Sequence, residues 1–310
     1  MLLDTGASNT WVMGTNCQSG ACQIHNTFGA ANSNTLEQTT DTFSIAYGVG
    51  SVSGVIASDS VSFAGITNTM GFGIASVTSD DFLNFPVDGI LGLSLTTSDP
   101  PSFIQTLVAS KALKSNIFGV ALNRATDGPN TGEINFGAPD TFRYTGDITY
   151  TPINSQGRGD WTIALDDILM GTTSIGVKGK LAYIDTGTTY IFAPADQVAQ
   201  FYSNIPGSHS GDTVTYTVPC DWTSDLKFTF SGVTYTVSHN DWMSPPTKTG
   251  VCYGNIFGKD VVRGDWLIGD AFLKNVYAVF DIDQQRVGMS SNLNFSHYIL
   301  IIKQVLHLEL

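Results

Sequence analysis

The sequence predicts an all-β protein built on an internal duplication, and two observations carry that expectation. Phe, Tyr, Val, Thr and Ile recur in short runs broken by Gly, Asn, Asp and Ser, with 32 glycines, 18 phenylalanines and 11 tyrosines in 310 residues. Such runs suit a pleated, half-buried surface and the turns between strands. The second observation is a repeat. Leu2-Leu3-Asp4-Thr5-Gly6-Ala7-Ser8 is echoed by Tyr183-Ile184-Asp185-Thr186-Gly187-Thr188-Thr189. Downstream of each copy lies a second shared feature, Val87-Asp88-Gly89-Ile90-Leu91-Gly92-Leu93 in the first half and Asp265-Trp266-Leu267-Ile268-Gly269-Asp270 in the second. The two features recur in the same order at nearly equal spacing, the mark of a duplicated unit. Each half then supplies one carboxylate, and a site is expected between the halves.

Each Asp-Thr-Gly reads as strand, tight turn, strand, because an apolar pair leads in and Asn9-Thr10-Trp11-Val12 or Tyr190-Ile191-Phe192 leads out. Asp and Gly are ordinary turn residues, so a single copy could be only a turn. Two copies point to chemistry. Two facing carboxylates cannot both ionise cheaply and share a proton. The ionised one can draw a proton from water while the protonated one donates to a carbonyl oxygen, so a peptide bond can be hydrolysed with no metal, no cofactor and no covalent intermediate. Gly6 and Gly187 allow backbone to approach the carboxylates where a Cβ would intrude. The hydroxyls of Thr5 and Thr186 can cross-link the two turns.

In chain order, Asn16 to Asn34 reads as a polar loop closed by Cys17 and Cys22. Phe43-Ser44-Ile45-Ala46-Tyr47 and Val52-Ser53-Gly54-Val55-Ile56-Ala57 alternate around Gly48-Val49-Gly50-Ser51, which predicts a hairpin with a glycine-rich tip. With an aromatic beside it, such a tip can close over a ligand; by itself it is equally a plain surface hairpin. Residues 87–93 read as a buried strand. Phe103, Ile104, Leu107 and Val108 form a helical stripe, and Pro194 opens a second helix with Val198, Phe201 and Tyr202 on one face. A domain boundary is expected near residues 150–161, where Ser155-Gln156-Gly157-Arg158-Gly159 is polar and glycine-rich. This gives an N-terminal lobe of residues 1–152, a C-terminal lobe of residues 153–292 and an atypical tail of residues 293–310.

A net charge of −13 argues against nucleic acid or an anionic membrane as partner, and the shortage of Lys and Arg fits work at acid pH. A merely solvated acidic surface is the plainer alternative. Of the three pairings open to four cysteines, Cys17 with Cys22 and Cys220 with Cys252 is the simplest, and disulfides would imply an oxidising compartment; free buried thiols remain the other reading. The five histidines, His25, His209, His239, His297 and His307, show no metal-ligand spacing with them. No signal peptide or pro-segment is recognisable, and Asp4 stands so near the start that a missing N-terminal segment is expected. The tail, with Tyr298-Ile299-Leu300-Ile301-Ile302-Lys303, is too short and too charged to span a membrane. It reads as an altered transcript or gene model rather than a functional appendage, and it contains the single glycosylation sequon, Asn294-Phe295-Ser296.

As a set, Asp4-Thr5-Gly6-Ala7-Ser8-Asn9-Thr10-Trp11, Tyr47-Gly48-Val49-Gly50-Ser51, Asp88-Gly89-Ile90-Leu91-Gly92, Asp185-Thr186-Gly187-Thr188-Thr189 and Leu267-Ile268-Gly269-Asp270 resemble the pepsin-like aspartic endopeptidases, most closely those of fungi, from about residue 2 to residue 290. The resemblance implies a two-lobed all-β pepsin-like fold, a double barrel with a few short helices. It implies a secreted or vacuolar monomer that cleaves peptide or protein substrates at acid pH, prefers hydrophobic residues around the cut and is inhibited by pepstatin-like compounds. Asp4 and Asp185 would be catalytic. Gly6, Tyr47, Gly48, Val49, Phe82, Ile90, Gly187, Thr188 and Thr189 would meet the substrate, with Tyr47 near the tip of a flap and Phe82 and Ile90 lining the pocket before the scissile bond. Thr5, Thr186 and Trp11 would support them, Trp11 by hydrogen-bonding Tyr47, and both cysteine pairs match family disulfides.

Three departures stand out. Ala7 replaces the usual Ser, so Asp4 lacks one hydroxyl donor, although retroviral members also carry Ala there. Val49 replaces a polar flap residue; several fungal members have Asp at this position, and there it favours Lys before the cut. The family's N-terminal strands, which help wall the cleft, are absent. A catalytically silent binding protein on the same scaffold, or a chain inactive as truncated, is the competing expectation.

Overall fold

The computed structural model describes residues 1–157 and 160–292. The tail, the sequon and Arg158-Gly159 lie outside the described residues. By packing, the chain divides into two units. Among the described residues, unit 1 comprises residues 1–114, 155–157, 160–161 and 184–188; unit 2 comprises residues 115–154, 162–183 and 189–292. This division differs from the expected halves of 1–152 and 153–292, and strand pairing supplies the reason. Ile117–Ala121 pairs antiparallel with Val276–Asp281, and Tyr144–Pro152 pairs antiparallel with Arg286–Asn292, so the stretch from 115 to 154 is stitched to the C-terminal strands.

Unit 1 is built on a six-stranded sheet. Its strands are β1 (Leu2–Asp4), β2 (Trp11–Met13), β3 (Glu37–Ala46), β4 (Ser51–Phe63), β5 (Ile66–Thr78) and β6 (Gly89–Gly92), in the order β1-β6-β2-β5-β4-β3. β1 runs parallel to β6, with Asp4 opposite Gly92, while β2 runs antiparallel to β6, with Trp11 opposite Ile90. The first Asp-Thr-Gly is thus the turn between two strands that clasp the buried strand β6 from either side. Trp11, Met13, Val52, Ala75, Phe82 and Ile90 form the core behind it, joined by the Cys17–Cys22 disulfide. Helix α1 (Gly20–Ile24) begins within that disulfide loop and carries Cys22. Helix α2 (Phe103–Ser110) starts at a capping box in which the Ser102 hydroxyl accepts from Gln105 N and the Gln105 side chain accepts from Ser102 N. It buries Phe103, Ile104 and Leu107 of the stripe read from the sequence, while Val108, the fourth member, faces out and is exposed.

Unit 2 repeats the local plan. Ile191–Ala193 runs antiparallel to Trp266–Ile268, with Ile191 opposite Ile268, and parallel to Ile256–Gly258. In unit 1, β2 likewise runs antiparallel to β6 and parallel to β5. The duplication read from spacing is therefore a duplication of strand order and sense. The helix after Pro194 spans Ala195–Tyr202 and buries Val198, Phe201 and Tyr202. Cys220 is bonded to Cys252, which closes the second cysteine pair.

Candidate active site

The second Asp-Thr-Gly, residues 184–188, packs as a piece of unit 1, so both turns can be described within one body. Their threonines interlock reciprocally. Thr5 N donates to Thr186 Oγ1 at 3.1 Å and Thr186 N donates to Thr5 Oγ1 at 3.0 Å. Each hydroxyl then donates to the backbone opposite, Thr5 Oγ1 to Ile184 O at 2.8 Å and Thr186 Oγ1 to Leu3 O at 2.6 Å. Four hydrogen bonds between segments 181 residues apart fix the spacing of the two aspartates, and their burial keeps water from competing for them.

Asp4 and Asp185 are 7 % and 8 % exposed. Gly6 N donates to both, at 2.9 Å to Asp4 Oδ1 and 3.1 Å to Asp185 Oδ1, so a single N–H ties the pair together. The glycines permit this approach. A Cβ on Gly6 would fall 2.7 Å from Asp185 Cγ, and one on Gly187 would press still closer against the Asp4 carboxylate. Either contact is shorter than packed atoms tolerate.

The two carboxylates are not equivalent. Asp185 accepts from Gly6 N, from Gly187 N at 2.8 Å and from the Thr188 hydroxyl at 2.6 Å. Asp4 is served by backbone donors from Gly6 and Ala7, and Ala7 brings no hydroxyl. Burial, first, and then the charge of Asp185 and the hydrogen bond with it hold the Asp4 carboxyl far above the usual carboxylate range, against the lowering effect of the Gly6 and Ala7 amides. The hydroxyl donor thus falls to Asp185, while Asp4 is the carboxyl that burial and its neighbour's charge keep protonated to higher pH. Ala7→Ser should therefore add a donor to Asp4, stabilise its ionised form and move the limbs of the kcat/KM pH profile to lower pH. A profile that is unchanged or moves upward would mean that the hydroxyl does not reach Asp4.

Beyond the dyad, β3 and β4 form the expected hairpin, closed by Tyr47 N donating to Gly50 O at 2.9 Å. Gly50 turns the chain at φ +91°, a conformation costly for any side chain, and Val49 at the tip is 59 % exposed. Trp11 Nε1 donates to Tyr47 Oη at 2.8 Å. Burial is the main reason the Tyr47 phenol is pushed up to about 12, and the Asp4 charge adds to it, so Tyr47 stays a neutral hydrogen-bonding group throughout acid pH. Phe82 packs edge-on against Trp11, with ring centroids 5.2 Å apart, and lies 6.4 Å from the Tyr47 ring. Phe82 and Ile90, expected to line a substrate pocket, both sit in the core of unit 1 beneath this aromatic group. Thr189 begins the next stretch of unit 2, its carbonyl accepting from Ala271 N.

A matching family model settles the kinship of this arrangement: the one for eukaryotic aspartyl proteases covers residues 1–292. The chain belongs to that family. It is 43 % identical over 297 residues to a probable aspartic-type endopeptidase CTSD of Trichophyton verrucosum, across 94 % of this chain and 58 % of that protein. It is 42 % identical over 297 residues to the aspartic-type endopeptidase ctsD of Aspergillus fumigatus, across 94 % of this chain and 62 % of that one. Bovine pepsin A is 32 % identical over 301 residues, across 94 % of this chain and 79 % of its own length. The chain thus spans less than two thirds of the Trichophyton and Aspergillus proteins. Among the described residues, no helix is long and apolar enough to cross a membrane.

Some supports of the site were not read from the sequence. Asp4 O accepts from Leu93 N at 2.7 Å, Ala7 O accepts from Ser94 N at 3.0 Å, and Leu93 O accepts from Trp161 Nε1 at 2.8 Å. Ser94 and Thr96 both donate to Asp160 Oδ1. A tryptophan directly after a polar, glycine-rich segment is the signal that could have pointed to this anchor, since linkers seldom carry a large apolar ring without a place to bury it.

Proposed function

We propose that this chain is an aspartic endopeptidase that hydrolyses peptide bonds at acid pH through the Asp4–Asp185 dyad. The observation that carries the reading is the reciprocal threonine cross-link, which holds two buried carboxylates under one shared N–H donor. Proton sharing by facing carboxylates is established behaviour for aspartic protease dyads and is applied here to these two residues. Ionised Asp185 takes a proton from water as its oxygen attacks the scissile carbonyl carbon, and Asp4 gives its proton to the carbonyl oxygen. In the resulting gem-diol, Asp4 takes back a hydroxyl proton while Asp185 passes its proton to the leaving nitrogen. The C–N bond breaks, and the dyad returns to its starting state with atoms and charge balanced.

In this reading the substrate is an extended peptide or protein segment held beneath the hairpin tip at Tyr47, Gly48 and Val49, with Gly6, Gly187, Thr188 and Thr189 meeting its backbone. The apolar group of Phe82 and Ile90 favours hydrophobic residues around the cut. The protein acts as a secreted or vacuolar monomer and binds pepstatin-like inhibitors. The test is cleavage of acid-denatured globin, which should proceed at acid pH, stop with a statine-type inhibitor and be absent from Asp4→Asn. Cleavage that resists the inhibitor, or none at all, would overturn the reading.

The flap tip makes a specificity prediction. Val49 offers no partner for an ammonium and would desolvate one against an apolar tip. Matched peptides with Leu, Phe or Met before the cut should outperform one with Lys, and Val49→Asp should raise relative turnover of the Lys peptide by about fivefold, the scale of an exposed ion pair. Equal kcat/KM for the Lys and Leu peptides in the parent would defeat this.

A further inference from the structure

Where β6 ends, the chain runs on into a short segment that the first Asp-Thr-Gly turn grips. Gly92 N donates to Thr10 Oγ1 at 3.2 Å, Leu93 N donates to Asp4 O at 2.7 Å and Ser94 N donates to Ala7 O at 3.0 Å. Three successive amides thus end on residues 10, 4 and 7. The packing has no slack, since a Cβ on Gly92 would fall 2.5 Å from Ser8 C and 2.7 Å from Ala7 O. A shift of residues 92–94 is therefore passed to the turn. Ala7 carries it to the dyad, because its amide donates to the Asp4 carboxyl while its carbonyl is held by Ser94.

The far side of this segment is anchored by two neighbours in sequence. Trp161 Nε1 takes the Leu93 carbonyl, and the half-buried Asp160 takes the hydroxyls beyond it. Asp160 Oδ1 accepts from Ser94 Oγ at 3.0 Å and from Thr96 Oγ1 at 2.9 Å. Ser94 is 1 % exposed, and its hydroxyl also accepts from Thr96 N at 3.1 Å. Thr96 Oγ1 is a second acceptor within reach, 3.1 Å from Ser94 Oγ. A serine has one hydroxyl proton, and it goes to the carboxyl oxygen, which carries the greater negative charge. We propose that Asp160 is a positioning residue for peptide cleavage: it fixes Ser94, and through Ser94 the Ala7 peptide that serves Asp4. The role needs an acceptor oxygen at that place rather than a charge.

The proposal rests on the endopeptidase reading for its kinetic consequence, and its geometry is also tested without turnover. Asp160→Ala leaves the Ser94 hydroxyl buried without its carboxyl acceptor and frees residues 93–94 to drift. Its kcat per active site, with sites titrated by a statine-type inhibitor, should fall about tenfold, short of the hundredfold scale of a 1 Å misplacement, while KM stays within about twofold of the parent. Asp160→Asn keeps an acceptor oxygen and should recover to within about threefold of the parent. Ser94→Ala cuts the same link from the other end, and it serves also if Asp160→Ala fails to fold. The double variant should be no slower than the slower single one, because both remove one contact. In parallel, amide exchange at Leu93 and Ser94 without substrate should quicken about tenfold in Asp160→Ala and in Ser94→Ala, and stay near the parent rate in Asp160→Asn. Parent kcat per site in Asp160→Ala, a loss carried by KM alone, fully additive losses in the double variant or an Asp160→Asn as slow as Asp160→Ala overturns the proposal. If the parent cleaves nothing, exchange that quickens in Asp160→Ala and not in Asp160→Asn upholds the anchoring of Ala7 and defeats the endopeptidase reading instead.

Discussion

Asp4→Asn and Asp185→Asn each lower peptide cleavage by at least about a thousandfold while leaving the fold intact. The dyad works as a unit, so removing either carboxyl removes both the shared proton and the water-activating base, and half a dyad does not retain half the rate. The two variants separate in their pH dependence of stability. Asp4 has its folded-state pKa raised above the unfolded value of 3.8 by burial and by Asp185. Between those two values the native state binds more protons than the unfolded one, so stability is fully present below the unfolded pKa and is lost as pH rises through the folded one. Asp4→Asn deletes this dependence, and its melting temperature should fall less steeply from acid towards neutral pH than the parent's. Parallel melting curves for parent and Asp4→Asn would contradict the assignment of the proton to Asp4, and retention of a tenth of parent activity by either variant would contradict the dyad.

The second large effect belongs to Gly187. An added Cβ there meets the Asp4 carboxylate at closer than contact distance, and on Gly6 it meets Asp185 Cγ at 2.7 Å. One of the interlocked turns must shift, and the threonine cross-link that spans them cannot absorb the shift without losing hydrogen bonds. Gly187→Ala should therefore cost about a hundredfold or more in kcat, the scale of a misplacement near 1 Å. Overpacking should also destabilise unit 1 by about 1–3 kcal/mol. Gly211→Ala is the control, because a Cβ there meets nothing within 4 Å. If Gly187→Ala and Gly211→Ala lose equally little in steady-state kinetics and in denaturant melts, the close packing of the two turns is not what places the carboxylates.

Features that depend on local pattern were legible in the sequence. The paired Asp-Thr-Gly turns, the glycine-tipped hairpin, the apolar strand at Ile90 and the capped helix after Ser102 each announce themselves within a dozen residues. The long antiparallel pair β4 and β5 was less so. Ser62, Thr67 and Asn68 dilute its alternation, and β3 opens with six exposed polar residues from Glu37 to Thr42 that mimic a loop. The cross-link of the two turns through Thr5 and Thr186 was read from the repeated motif, but the backbone acceptors of the two hydroxyls, Ile184 O and Leu3 O, were not. The same holds for Trp161 on Leu93. These are tertiary hydrogen bonds to backbone carbonyls, and a carbonyl carries no residue identity.

The central claim is that two buried carboxylates share one proton that rests on Asp4. The pH dependence of kcat/KM on a hydrophobic peptide tests it most directly, since that profile reports the macroscopic ionisations of the free enzyme. The account predicts a bell with one limb below the usual carboxylate range or within it and the other well above, and in Asp4→Asn no measurable bell at all. A single limb at an ordinary carboxylate pKa, or a flat profile, would contradict it.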